Sequence, residues 1–135
     1  MADLRLRYWL LSPLTDKWCE ISHPKKLGII MAAYMIANVE INDAEKIKEY
    51  LKATPEVVKK YCGRFLVRGG EFWVAEGHWT PKRLVVLEFE SYEKAKEFWH
   101  SEEYRPLKRL RQSSAKTDMI FVDGISKEMS DVLNL

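Results

Sequence analysis

The stretch AAYMIANVEI, residues 32–41, alternates as a half-buried strand does. Ala33, Met35, Ala37, Val39 and Ile41 form one wholly apolar face, and Tyr34, Ile36, Asn38 and Glu40 form the other. The period then lengthens from two to that of a helix. Asn42 and Glu45 have the spacing of a capping box with Asn as the cap. Ile47, Tyr50, Leu51, Val57, Val58 and Tyr61 fall on the inward face of a helix running to about Tyr61. Thr54-Pro55-Glu56 interrupts that pattern. Thr54 is suited to cap a second segment with Pro55 at its first position, so a kink is expected. Gly63 is placed to end the helix in left-handed backbone.

Alternation returns with Phe65 and Val67 set against Arg64, Leu66 and Arg68, and Gly69-Gly70 reads as a bulge or turn. After the loop at 78–82, RLVVLEF (83–89) puts Val85, Leu87 and Phe89 on one face. Ser91 then caps a helix with Tyr92, Ala95, Phe98 and Trp99 inward. The HSEE stretch breaks it, and a second segment starts near Tyr104 with Pro106 in its first turn. DMIFVDG (118–124) is the last strand, and the tail at 125–135 is a short helix or a mobile end.

The order β-α-β-β-α-β predicts an α+β fold, the ferredoxin-like sandwich, an antiparallel sheet with its helices on one face. The wholly apolar strand faces belong under the helices. The other face holds Tyr34, Ile36, Asn38, Leu66, Leu84, Val86 and Glu88, too apolar to sit in water as one patch. A second copy of the same sheet is the simplest cover, which predicts a symmetric homodimer.

Residues 1–30 hold no clean period. They read as an N-terminal extension, with Met31 as the alternative start of a domain over 31–124 and a C-terminal tail over 125–135. One domain of 135 residues buries enough surface to fold without disulfides or a structural metal. Two cysteines, Cys19 and Cys62, make no disulfide framework, so reduced thiols and a cytoplasmic location are expected. With 22 basic and 20 acidic residues the net charge is +2, which advertises neither a nucleic-acid nor a membrane partner. No run of 18 apolar residues is present. RNA-recognition modules share this strand and helix order, but they stack bases on sheet aromatics, and Leu84, Val86 and Glu88 supply none. Metal ligation is not expected: Cys19 and His23 lack a second pair, and His78 and His100 lack ligand-spaced neighbours.

One residue breaks the pattern. Tyr104, Leu107, Leu110, Arg111 and Ser114 share a helical arc, whereas Arg105, Lys108 and Arg109 occupy the solvated side. A charge inside a buried arc needs a partner or a ligand. Tyr34, Arg83, Tyr104 and Arg111 are therefore the candidate ligand-binding residues. Glu76 and His78, at a strand end, are the candidate acid and base. Against this stands a structural ion pair between Arg111 and Glu76. Cys62, near a helix C-terminus where a thiolate is disfavoured, is not read as a nucleophile.

Gly63-Arg64, Arg68-Gly69-Gly70, Glu76-Gly77, Trp79, Pro81, Arg83, Phe89, Ser91, Ala95, Ser101, Tyr104, Arg111 and Gly124 form a wider pattern. From about Met31 to Gly124 the chain resembles the bacterial and archaeal family known as domain of unknown function 1330. It has Cys62 where that family more often has the first glycine of a pair. The family looks like a branch of the dimeric α+β barrel superfamily. The resemblance implies a homodimer with a small-molecule cleft between sheet and helices; with Arg111 to hold an anion and Tyr104 to donate a hydrogen bond, the expected ligand is a small anionic or carbonyl-bearing molecule, and no cofactor is expected. Relatives in the wider superfamily suggest a cofactor-free oxygenase or isomerase. The rival expectation is a non-catalytic ligand-binding or stress-related module.

Overall fold

The computed structural model describes residues 32–134, so the expected N-terminal extension and the alternative start at Met31 lie outside the described residues. Four strands, β1 (Ala33–Ile41), β2 (Gly63–Arg68), β3 (Leu84–Phe89) and β4 (Ala115–Asp123), form one sheet. Its order is β2-β3-β1-β4 and every neighbouring pair is antiparallel. The helices are α1 (Ile47–Lys60), α2 (Tyr92–His100), α3 (Tyr104–Ser114) and α4 (Lys127–Leu133). The chain order through β4 is thus β-α-β-β-α-α-β, and the tail forms the short helix α4, capped by Ser126.

The core forms where the apolar strand faces meet the helices. Ala33, Met35 and Ala37 of β1, Leu87 and Phe89 of β3, Val58 of α1, Ala95 and Phe98 of α2 and Tyr104 of α3 make one buried cluster. β1 pairs on both edges, with Ala33 opposite Phe89 and Asp123, and its Ala33, Met35 and Ala37 are buried beneath the helices. The Phe98 ring lies 5.1 Å from Phe89 and 4.3 Å from Tyr104. Burying each such ring contributes about 1.5–3 kcal/mol.

Local chemistry sets the helix ends. Ser91 accepts from the Lys94 amide at 3.1 Å, and Ser101 accepts from the Tyr104 amide at 3.1 Å, which separates α2 from α3. The start of α1 differs from the expected Asn42 cap. Asp43 accepts from the Lys46 amide at 2.9 Å, while the Asn42 and Asp43 amides bind the Ser114 carbonyl. Thr54 does not cap a second segment: α1 is one helix with Pro55 inside it, and the Thr54 hydroxyl donates to the Tyr50 carbonyl at 2.5 Å.

Cys62, not Gly63, adopts the left-handed backbone after α1, at φ 59°. Gly63 serves a different need. A Cβ there would lie 2.7 Å from a Phe89 ring carbon and 2.8 Å from a Val58 methyl, so glycine lets β2 close onto the core. Among the described residues no cysteine is free: Cys62 is disulfide-bonded, against the expected reduced thiol. The β2 bulge falls between Phe65 and Val67, and at Gly69-Gly70 the turn alternative holds: β2 ends at Arg68 and Gly69 bends out of it at φ 71°. β4 begins at Ala115, three residues before its expected start, because pairing with Ile41 of β1 extends the ladder to the end of α3.

On the sheet face away from the helices, Tyr34, Ile36, Asn38, Leu84 and Val86 are half-buried, and Ile120 of β4 is 60% exposed. Arg64 and Glu88 form an ion pair there at 2.7 Å. No helix of the described residues is long and apolar enough to cross a membrane.

Candidate functional site

A cleft opens between α1 and the sheet. Met35, Ala37, Val39 and Ile41 of β1 form its floor with Val85 of β3 and Met119 of β4. Ile47, Tyr50, Leu51 and Thr54 of α1 form one wall, and Phe65, Arg68, Arg83 and Arg111 complete it. The space inside it is small, about 40 Å³. Three of the lining residues are arginines, and none of the described liners is Asp, Glu, His or Cys.

Arg111 is the anomaly. The residue is only 4% exposed and its Nε is buried without a hydrogen-bond partner. No carboxylate among the described residues lies within ion-pair distance of it. A buried cation without a counter-charge is costly. The neighbourhood reinforces the imbalance. Burial lowers the pKa of Lys108, and Arg111 and then Arg105 lower it further. Lys108 does not reach into water as expected; its ammonium sits over the Trp99 ring and donates to the Trp99 carbonyl at 2.7 Å.

Tyr50 lies within electrostatic reach of Arg111 and is paired with a second phenol. The Tyr50 and Tyr104 hydroxyls are 3.3 Å apart, and either can donate. Burial pushes Tyr50 well above the ordinary phenol range, and the charge and hydrogen bond of Tyr104 push it further. Tyr50 therefore keeps its proton near neutral pH and acts as a donor, not as a base.

The other two arginines are occupied. Pro55 has no amide hydrogen, so the Leu51 carbonyl loses its helical donor. Arg68 Nη2 fills that vacancy at 2.5 Å, with its guanidinium 4.7 Å over the Phe65 ring. Arg83 Nη2 donates to the Arg68 carbonyl at 3.5 Å. Its guanidinium packs on Gly69, where a Cβ would collide with Nη1.

The model of the family described as Domain of unknown function (DUF1330) matches residues 32–125, the whole sheet and α1 to α3. The chain belongs to the DUF1330 family. Among solved structures, this DUF1330 chain is similar to the RPA0582 protein of unknown function from Rhodopseudomonas palustris. Identity is 15% and the TM-score 0.59, over 82% of this chain and 92% of that one. The methylated form of RPA0582 matches at 13% identity and a TM-score of 0.55, over 82% and 90% of the two chains. At these identities the likeness is one of fold. A search of curated proteins finds no match.

Within this DUF1330 domain the six expected site residues fall in three places. Arg83 and Arg111 line the cleft, and Tyr104, 1% exposed, reaches it through the Tyr50 hydroxyl. Tyr34 lies on the opposite sheet face beside Glu88, where partial burial and then that carboxylate raise its pKa. Glu76 and His78 lie in the exposed stretch between β2 and β3. Glu76 borders a separate hollow with Phe72, Trp73 and Trp79. Sequence reasoning passed over Tyr50, Thr54 and Arg68. The signal for Arg68 was present: Pro55 inside a helical pattern implies a freed carbonyl at Leu51, and such a carbonyl needs a donor. Among the described residues no group of three His, Cys, Asp or Glu is placed to hold a metal ion.

Proposed function

We propose that this protein binds a small anionic molecule in the cleft between α1 and the sheet, with Arg111 as its anchor. The observation that carries this reading is a buried guanidinium whose Nε has no partner, in a cleft lined by arginines and no carboxylate. An anion entering there supplies the missing counter-charge, and a charge-assisted hydrogen bond is worth about 1.5–3 kcal/mol. Of the expected constellation the proposal uses Arg111, Arg83 and Tyr104; it does not draw on Tyr34, Glu76 or His78. Binding without turnover is preferred to an oxygenase or isomerase. Proton transfer needs a group that titrates near neutral pH, and the polar side chains lining the described cleft are the Tyr50 phenol, whose pKa burial raises, the Thr54 hydroxyl and three guanidiniums.

The test is calorimetric titration of the full chain with a panel of small organic and inorganic anions. At least one should bind, and Arg111→Leu should weaken it about 10- to 150-fold. Binding indifferent to Arg111→Leu in a folded variant would sink the reading.

We further infer a homodimer through the open sheet face. Support comes from the half-buried Ile36, Leu84 and Val86 lying next to exposed Ile120 and Val122. Sedimentation at micromolar concentration should give twice the chain mass, and a clean monomer would rule this out.

A further inference from the structure

We infer that the ligand of this cleft is a singly charged carboxylate with an apolar body, its carboxylate on Arg111 and Tyr50 and its tail along Met35, Ile47, Phe65 and Val85. This rests on the anion-binding reading above and narrows it to a chemical class.

The first argument counts available cations. Three guanidiniums line the cleft, but two are already engaged. Arg68 is held by the Leu51 carbonyl that Pro55 releases, and Arg83 by the Arg68 carbonyl. Arg111 alone is both buried and without a bond at Nε. One free guanidinium fork matches one carboxylate, which it binds through two parallel N–H donors. A phosphate dianion or a dicarboxylate calls on a second cation, and Arg68 and Arg83 each have Nη2 turned to a backbone carbonyl. The Tyr50 phenol adds one neutral donor beside the fork. When Tyr104 donates to Tyr50 across their 3.3 Å contact, the Tyr50 proton is left for a carboxylate oxygen.

The second argument concerns the rest of the lining. Nine of the fourteen residues around the cleft are aliphatic, Met or Phe. A hydrated polyanion would lose water against these walls and gain nothing from them. A hydrocarbon chain or an aromatic ring gains from every group it buries. Transfer of one methylene changes affinity about three- to fourfold.

The test is calorimetric titration of the full chain with sodium butanoate, pentanoate and hexanoate, with hexanamide, and with inorganic phosphate and succinate. Affinity should rise about three- to fourfold per methylene along the acids. Hexanamide, phosphate and succinate should each bind at least about tenfold more weakly than hexanoate. Tyr50→Phe should lower hexanoate affinity severalfold. Arg111→Lys, which keeps the charge but loses the fork, should fall between wild type and Arg111→Leu. Folding of each variant is checked by circular dichroism. Phosphate or succinate binding best, with loss in Arg111→Leu, would discard the apolar carboxylate while the anion site stands. Hexanamide matching hexanoate, or acid binding unchanged in both Arg111 variants, would discard both.

Discussion

Helix α3 carries two kinds of charge within eight residues of each other, and they are treated in opposite ways. Just ahead of its first turn, Glu103 is exposed and fully partnered: it accepts from Lys60 Nζ and, at 2.7 Å, from the Tyr61 hydroxyl. Two turns further on, Arg111 is buried and its Nε has no partner. A fold that wanted only stability would arrange the reverse, since water screens an exposed pair and leaves it little to contribute, whereas a buried cation suffers the full loss of hydration. The exposed pair ties α1 to α3 at the surface. The buried guanidinium makes no comparable tie, and it is the charge that the proposed anion would pair.

The largest effect tests what actually holds α3 in place. Tyr104 lies between the two charged sites and is 1% exposed, its ring packed at a tilt against Phe98 at 4.3 Å and Trp99 at 5.9 Å. Tyr104→Ala should cost about 3–5 kcal/mol in denaturant unfolding. Tyr104→Phe keeps the ring and loses only the contact to Tyr50, for about 0.5–1.5 kcal/mol. If the two variants lost equal stability, the phenol pair would be structural and the division drawn here would fail.

Arg111→Leu addresses the comparison directly. Without ligand, removing an unsatisfied buried donor should leave stability unchanged or raise it by up to about 3 kcal/mol, because the desolvation cost disappears with the group. A loss above about 3 kcal/mol, with an unchanged denaturant slope, would mean that Arg111 supports the fold.

The fold was largely legible from periodicity, and the cleft only in part. The alternation in β1 and β3, the cap at Ser91 and the inward arc of Tyr104 and Arg111 each follow from local rules that the tertiary structure obeys. The misses share one physical origin: long-range contacts overrode a local preference. Asp43 displaced Asn42 as the cap once both backbone amides were drawn to the Ser114 carbonyl. Pro55 stayed within α1 because Arg68, thirteen residues on and in β2, satisfies the carbonyl it frees. Gly63 was needed for the approach of Phe89 and Val58, which no local window contains. Arg111 was identifiable as misplaced, but its freedom from Glu76 depended on the path of the long stretch between β2 and β3.

A smaller effect is expected at the rim. Gly69 has φ +71°, a region that costs a residue with a Cβ about 1–2 kcal/mol. Gly69→Ala should lose about that much stability. The Arg83 guanidinium, being the end of a flexible side chain, should swing aside. Ligand affinity should change less than in Arg111→Leu. An equal loss of affinity would move the anchor from Arg111 to Arg83.

The smallest effect belongs to the surface pair, and its signature is a pH dependence. Hydrogen bonds from Lys60 and then from Tyr61 hold the Glu103 carboxyl down at about 2, against an ordinary value of 4.5. A folded-state pKa below the unfolded one stabilises the fold above about 4.5, and that contribution is lost as pH falls from there toward 2. Lys60 shows the mirror image. Its pKa is raised, chiefly by the hydrogen bond to Glu103, so its contribution is present below the ordinary lysine value of 10.5 and is lost as pH rises through the folded value. Both side chains are exposed, so solvent and salt reduce the effect. Acid unfolding of Glu103→Gln should therefore be flatter than wild type below about pH 4.5, with the difference shrinking in high salt. Arg111→Leu should leave that limb unchanged, because a guanidinium does not titrate there. Identical acid limbs for wild type and Glu103→Gln at low salt would show that the exposed pair contributes nothing measurable. The comparison would then rest on Arg111 alone.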